Sequence, residues 1–122
     1  MKRLIILLVC IICFVGASAF HISGCITDAQ VDGTWYRSEL KKCNLELTIY
    51  NDRFIINTTN PQIYYIVGVG GHYIDSEGEH TEFKFRDKQN RYGRIIFLLR
   101  PNYDLECYIQ YKDCIIVYII DL

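Results

Sequence analysis

The stretch "DGTWYRSE" (32–39) contains the single tryptophan of the chain, Trp35, and the choice of fold depends on it. A Gly-x-Trp-Tyr sequence is typical of the opening strand of a small β-barrel. A tryptophan that follows a cysteine, here Cys25, is typical of the third strand of a two-layer β-sandwich. The two architectures imply different functions, because such a barrel encloses a small apolar ligand, whereas such a sandwich usually binds proteins.

The N-terminus predicts export. Lys2 and Arg3 precede an apolar run over 4–15, and the small residues 17–19 follow it. This order is that of a secretory signal peptide cleaved after residue 19. The run is shorter than the roughly 20 residues that a membrane-spanning helix needs. We therefore expect residues 1–19 to be removed and residues 20–122 to form a single exported domain.

The overall charge excludes a strongly basic protein. The chain has 13 Lys and Arg against 14 Asp and Glu, a net charge of −1 at pH 7. A nucleic-acid partner or an anionic membrane surface would favour a marked positive excess. We expect neither partner, and no residue pattern indicates a cofactor.

Four cysteines remain after removal of the signal peptide, and they predict two disulfides. A short exported domain has a small core and commonly depends on such cross-links. Four cysteines allow three connectivities, and a Cys25–Cys107 bridge would contribute roughly 4 kcal/mol by closing a loop of about 80 residues. A zinc site is disfavoured because these four cysteines contain no C-x-x-C pair. The four residues are Cys25, Cys43, Cys107 and Cys114.

The rest of the chain is typical of an all-β domain. Ile and Tyr are abundant and favour strands, and turn sequences such as Gly70-Gly71 and "DKQN" (87–90) separate the apolar runs. Many short strands at this spacing indicate a sandwich or a barrel. The predicted strands are 34–40, 45–50, 53–58, 62–69, 82–86, 94–99, 105–111 and 114–120.

The last predicted strand, "CIIVYII" (114–120), does not alternate between apolar and polar residues. Either it is a central strand covered on both faces, or its outer face is a contact surface. We favour central burial.

Both architectures fit the strand pattern. A lipocalin- or avidin-like barrel needs about eight tilted strands, and eight candidates run from Trp35 onward. An immunoglobulin-like sandwich of about 100 residues needs a cysteine before the tryptophan and another on a late strand, as Cys25 and Cys107 provide, with an insertion at 68–80. The residues alone leave both open, and one of the two is a small disulfide-pinned immunoglobulin-like antiparallel β-sandwich with Trp35 in its core. The alternative is the small barrel.

Three segments carry a resemblance to a known family: "AFHISGC" (19–25), "WY" (35–36) and "LECYIQYKDCIIVYIIDL" (105–122). They resemble the small secreted immunoglobulin-like accessory proteins of coronaviruses, the group with the open-reading-frame-eight and seven-a products. The resemblance implies a viral protein that is secreted or held in the endoplasmic reticulum lumen and binds host immune or lumenal proteins to blunt immune responses. It also implies that Cys25 and Cys107 pin the two sheets, and that any homodimer is non-covalent.

Catalysis and metal binding have little support. No nucleophile–histidine arrangement is visible, so we do not expect an enzyme. The segment "GHYIDSEGEH" (71–80) gathers possible metal ligands, but carboxylates in a turn are usually solvated, and we expect no metal. These ligands are His72, Asp75, Glu77, Glu79 and His80.

Two features bear on the surface of an exported protein. Asn57-Thr58-Thr59 is an N-glycosylation sequon at a strand end, and it predicts a glycan on Asn57. Tyrosines on outward faces, such as Tyr108, or in the pair at 64–65 predict an aromatic contact surface. Together with the order Cys25…Trp35…Cys107, the resemblance makes the sandwich the fold we favour, and it implies a non-enzymatic module that binds host proteins. A carrier of a small apolar ligand is the alternative.

Overall fold

The computed structural model describes residues 18–121, and their regular structure consists of nine β-strands. No helix in this part of the chain is long and apolar enough to span a membrane. The all-β prediction is confirmed. The strands are β1 (Ser18–Val31), β2 (Thr34–Arg37), β3 (Lys41–Ile49), β4 (Arg53–Asn57), β5 (Gln62–Asp75), β6 (Gly78–Asp87), β7 (Tyr92–Leu99), β8 (Leu105–Gln110) and β9 (Cys114–Asp121).

Eight of these strands form a closed antiparallel barrel. From β3 to β9 each strand pairs with the next one along the chain, and β1 pairs with both β3 and β9 to close the sheet. The short strand β2 pairs only with the far end of β1, where Gln30 lies opposite Trp35. It therefore extends the sheet without entering the closed ring.

Alternation along the strands fills the barrel with apolar side chains. In β8, Leu105, Cys107 and Ile109 are buried, whereas the residues between them are only partly covered. This is the two-residue period of a strand with one face on a core. The inward rings of Phe54, Phe83 and Phe97 meet edge to face, with centroids 5.3–6.2 Å apart. These rings occupy the middle of the barrel.

The structure favours the barrel alternative over the immunoglobulin-like sandwich, so the preferred fold prediction is wrong. The reason is β1, a strand of 14 residues that the sequence analysis did not predict. By pairing on both edges, it joins β3 to β9 and leaves one closed sheet instead of two packed layers. The eight predicted strands all exist, but the first of them lies outside the ring, and β1 takes its place.

Trp35 is not a core residue, as the sandwich interpretation required. It lies on β2, outside the barrel, and its side chain is 47% exposed. The nine strands of residues 18–121 belong to one sheet, so this part of the chain offers no inter-sheet bridge for Trp35 to pack on.

The described structure contains no disulfide, and Cys25, Cys43, Cys107 and Cys114 are unpaired in it. Cys25 and Cys107 both lie opposite Tyr118, one on each side of β9. Two strand spacings amount to about 9.6 Å, which exceeds the Cα separation of roughly 7 Å that a disulfide spans. Cys43 lies against Cys25 on the neighbouring strand, while Cys114 lies opposite Ala29, further along β1. Neither Cys25–Cys107 nor Cys43–Cys114 is therefore within reach.

The segment 68–80 is not an inserted loop. It forms the end of β5, a two-residue turn and the start of β6, and irregularities in the pairing follow Ile66 and Val69. The Asp75 carboxylate closes the turn by accepting from the backbone N–H groups of Glu77 and Gly78. Residues 68–80 thus extend the β5–β6 hairpin.

Two further predictions concern the ends of the chain. The strand "CIIVYII" (β9) is only partly covered on its outer face: Val117 is buried there, whereas Ile115 and Ile119 are half-buried. Residues 1–17 lie outside the described residues, so the signal peptide remains a prediction. Ser18 and Ala19 pair with Ile49 and Thr48 at the start of β1.

Candidate functional site at the barrel mouth

A cavity of about 740 Å³ lies at one mouth of the barrel. Three connections and the adjoining strand β9 surround it: the β4–β5 loop, the β6–β7 turn and the β8–β9 turn. Its size lies within the range of small-molecule sites, which favour the mouths of β-barrels. Its walls combine aromatic, aliphatic and charged side chains. The lining residues are Thr58, Gln62, Tyr64, Arg91, Tyr92, Tyr111, Lys112, Asp113, Cys114, Ile116 and Tyr118.

Asp87 organises this mouth. It is the last residue of β6, lies opposite Tyr64 on the inward face, and is only 5% exposed. Its Oδ1 accepts from the backbone N–H groups of Gln89 and Arg91, both at 2.9 Å. Its Oδ2 accepts from Arg91 Nε and from the Tyr111 hydroxyl, again both at 2.9 Å. One buried carboxylate therefore holds the β6–β7 turn and two cavity side chains.

The charge state of Asp87 follows from these contacts. Burial by itself raises the pKa of the carboxyl, but the hydrogen bonds from the Arg91 and Gln89 backbone, the Tyr111 hydroxyl and the Arg91 side chain outweigh burial and lower the pKa overall. The group is therefore ionised at neutral pH. The turn itself uses Asn90 with φ of 60°, a conformation that asparagine adopts more readily than most residues.

Arg91 is held in place over the cavity wall. Its guanidinium carbon lies 4.8 Å from the centre of the Tyr111 ring, within the range of a cation–π contact. Asp87 and Tyr111 therefore hold the guanidinium from two sides. A side chain held in this way loses little conformational freedom when it binds a ligand.

The floor of the cavity consists of rings. Phe85 lies edge to face between Tyr64, at 4.9 Å, and Tyr111, at 5.3 Å. Tyr64 and Tyr118 are almost fully buried yet line the cavity. Burial raises the pKa of both phenols well above the usual range, so both stay protonated near neutral pH. The floor thus offers apolar ring surface together with hydroxyl groups.

The candidate metal ligands of 71–80 do not form a cluster. His72 Nε2 contacts Glu79 Oε1 at 3.2 Å, whereas on the other face His80 Nε2 contacts Asp75 Oδ1 at 2.9 Å, and the His80 ring stacks on Tyr73. Within residues 18–121, no group of three or more such side chains comes together to hold a metal. Glu79 is fully buried, and neither its Oε2 nor Thr81 Oγ1 has a hydrogen-bond partner in this part of the chain.

Asn57 is the last residue of β4, directly before the cavity residue Thr58, and its side chain lies on the outward face of the strand. It is exposed, and its side-chain amide donates to Thr48 Oγ1 at 3.1 Å. A glycan on this residue would project from the outer surface of the barrel, and its presence remains a prediction.

Two of the tyrosines named from the sequence already contact charged side chains. The Tyr108 hydroxyl donates to Glu106 at 2.6 Å, and Tyr65 lies under the Arg86 guanidinium, 4.9 Å from it. The more exposed aromatic side chains lie elsewhere, among them Trp35 and Tyr36 on β2.

The sequence analysis missed the residues that shape the cavity. Asp87 follows Phe83 and Phe85 at alternate positions of β6, so an acidic residue occupies the apolar face. An acid at such a position indicates a buried carboxylate with dedicated partners. This signal was available, but Arg91 and Tyr111 could not be identified as its partners without the pairing of the strands.

Comparison with known proteins adds no relative. No family model, no curated protein and no solved structure matches this chain. The resemblance to coronavirus accessory proteins therefore stays a prediction.

Proposed function

We propose that the protein binds a small molecule in the mouth of its barrel and acts as a carrier or scavenger of that molecule. The observation behind this proposal is the 740 Å³ cavity, whose side chains are held by the buried Asp87. A closed barrel supplies a rigid wall, and the fixed side chains supply orientation. This was the alternative function in the sequence analysis.

The test is a fluorescence titration of the purified protein with an aromatic probe that emits in apolar surroundings. Tyr92 lines the cavity and is 67% exposed, so Tyr92→Ala should weaken probe binding without disturbing the core. Tyr103 is a matched control, because it is 68% exposed on the β7–β8 connection and does not line the cavity. Equal loss of binding in Tyr92→Ala and Tyr103→Ala, or no stoichiometric binding in the parent protein, would refute the proposal.

A protein-binding role is the second candidate, and the β1–β2 hairpin supports it. Val31, Trp35 and Tyr36 are all about half exposed or more. Arg37 is fixed by two hydrogen bonds to Asp28, at 2.8 and 2.9 Å. Tryptophan, tyrosine and arginine are the residue types that dominate binding energy at protein interfaces. This hairpin is therefore the surface we propose for a host protein.

Site-specific photocrosslinking tests the second candidate. A photoreactive residue at position 36 should capture a discrete partner, and the same residue at position 103 should not. Binding of that partner, once purified, should be lost in Trp35→Ala. Equal capture from both positions would argue against a specific surface on the hairpin.

A further inference from the structure

The charged groups around the cavity are unequally available to a ligand. Arg91 uses Nε for Asp87, and within residues 18–121 its two terminal nitrogens have no hydrogen-bond partner. Asp87 already accepts four hydrogen bonds and is covered by Arg91 and Tyr111. The buried carboxylate is therefore saturated, while the guanidinium keeps the donors that match a planar anion.

The aromatic walls do not favour a cation. Rings of tyrosine attract organic cations when their faces are open. The face of Tyr111 is already covered by Arg91, whose charge, together with that of Lys112 on the next turn, repels a second cation. Asp113 is the one carboxylate among the residues that line the cavity. With Asp87, which is ionised and pairs with Arg91, two positive groups balance two negative groups, so the preference for an anion rests on the free donors of Arg91 and not on net charge.

The buried phenols also suit an acceptor. Tyr64 and Tyr118 both line the cavity, and burial raises the pKa of both phenols, so both keep the hydroxyl proton. A protonated phenol donates one hydrogen bond. Ile116 and the tyrosine rings cover the remaining wall and suit an apolar body.

We propose that the mouth cavity takes an amphipathic organic anion, with its carboxylate or sulfonate on Arg91 and its apolar body against the tyrosine floor. This inference rests on the proposed small-molecule function and names the chemical class of the ligand. Arg91 is the residue that sets the preference for an anion, and Lys112 adds to the positive charge at the rim.

A pair of probes separates charge from apolar contact. 8-Anilinonaphthalene-1-sulfonate and N-phenyl-1-naphthylamine share the same aromatic skeleton, but only the first has a sulfonate. The sulfonate probe should bind at one site per chain and more tightly than the neutral probe. Arg91→Met should lower the affinity for the sulfonate probe at least roughly tenfold, as expected for loss of a charge-assisted hydrogen bond. It should change the affinity for the neutral probe by no more than about twofold.

Arg94→Met is the matched control. Arg94 lies on the outer face of β7, where it is paired with Glu82 at 3.1 Å and does not line the cavity. The Arg94→Met substitution should leave the affinities for both probes unchanged. Arg91→Lys keeps the charge without the guanidinium fork and should recover part of the loss, while circular dichroism verifies that each variant is folded.

The outcomes distinguish the two proposals. Equal affinity for the two probes, or an equal effect of Arg91→Met on both, overturns the anion preference and leaves small-molecule binding intact. Failure of both probes to bind stoichiometrically overturns the proposed function and the ligand class together. If Arg94→Met lowers the affinity for the sulfonate probe as much as Arg91→Met does, the assignment of the anion to Arg91 is overturned.

Discussion

Asp87→Asn is the substitution that tests most directly how the barrel mouth is built. The new side chain keeps one oxygen, which can still accept from the backbone N–H groups of Gln89 and Arg91. Its amide group then replaces the oxygen that accepts from Arg91 Nε and Tyr111. The Tyr111 hydroxyl can rotate to accept instead, but the Arg91 N–H then faces another donor.

The expected cost follows from this count. One charge-assisted hydrogen bond at a buried carboxylate is lost, and the other three become bonds to a neutral amide, so the free energy of unfolding should fall by at least about 2–3 kcal/mol. For a domain of this size, that change corresponds to a decrease in Tm of roughly 10 °C or more. Tyr111→Phe removes only the hydroxyl and should cost about 1 kcal/mol.

Urea unfolding followed by far-ultraviolet circular dichroism measures the effect, since Trp35 lies outside the barrel and reports poorly on its core. Asp104→Asn, at an exposed site on the β7–β8 connection, is the control and should change stability by less than about 0.5 kcal/mol. If Asp87→Asn also stays within about 0.5 kcal/mol of the parent protein, Asp87 does not organise the mouth as described.

The same variant has a signature in pH. Because the folded-state pKa of Asp87 is lowered, its ionisation stabilises the fold above the unfolded pKa of about 3.9. That stabilisation is lost as pH falls through the lower, folded-state value. The parent protein should therefore lose stability below about pH 4 more steeply than Asp87→Asn. Parallel acid profiles of the two proteins would contradict the assignment.

Three further predictions concern the scaffold and the surface. Gly78→Ala should lower the free energy of unfolding by about 2–5 kcal/mol, because φ is 138° and a Cβ would lie 2.1 Å from a backbone carbonyl oxygen of the neighbouring strand. Gly71→Ala is the control in the same urea assay. It should change the free energy of unfolding by less than about 1 kcal/mol, since a Cβ there meets no described atom within 4 Å. In the folded protein, Cys107 should resist a maleimide reagent because it is buried inside the barrel. Cys114 is only partly buried and lines the cavity, so it should react and be protected by bound probe, as mass spectrometry of the labelled peptides can show. Burial raises the pKa of both thiols, so the contrast depends on access, and equal labelling of both would contradict the barrel interior. If the chain is exported as expected, treatment with N-glycosidase should change its gel mobility, and Asn57→Gln should abolish that shift.

The sequence by itself was sufficient for the class of fold and for the positions of most strands. Alternation such as Leu105, Cys107 and Ile109 has the two-residue period of a half-buried strand, and this pattern depends only on neighbouring residues. The lack of a polar face in "CIIVYII" was visible as well, but the sequence did not show that its outer face would be only partly covered, with Val117 buried and Ile115 and Ile119 half-buried. A carboxylate at Asp87, on the apolar face of β6, was also visible in the sequence.

Only the tertiary structure decided between sandwich and barrel. Closure depends on β1 pairing with β3 and β9, and the β9 contacts join residues about 90 positions apart. No local pattern in "AFHISGCITDAQV" (19–31) specifies partners at that distance. The positions of Trp35 and of the four cysteines follow from the same closure. The cavity, too, is formed by three connections that are remote in sequence and meet only when the sheet closes, which is why Asp87 could be noticed while Arg91 and Tyr111 could not be assigned as its partners.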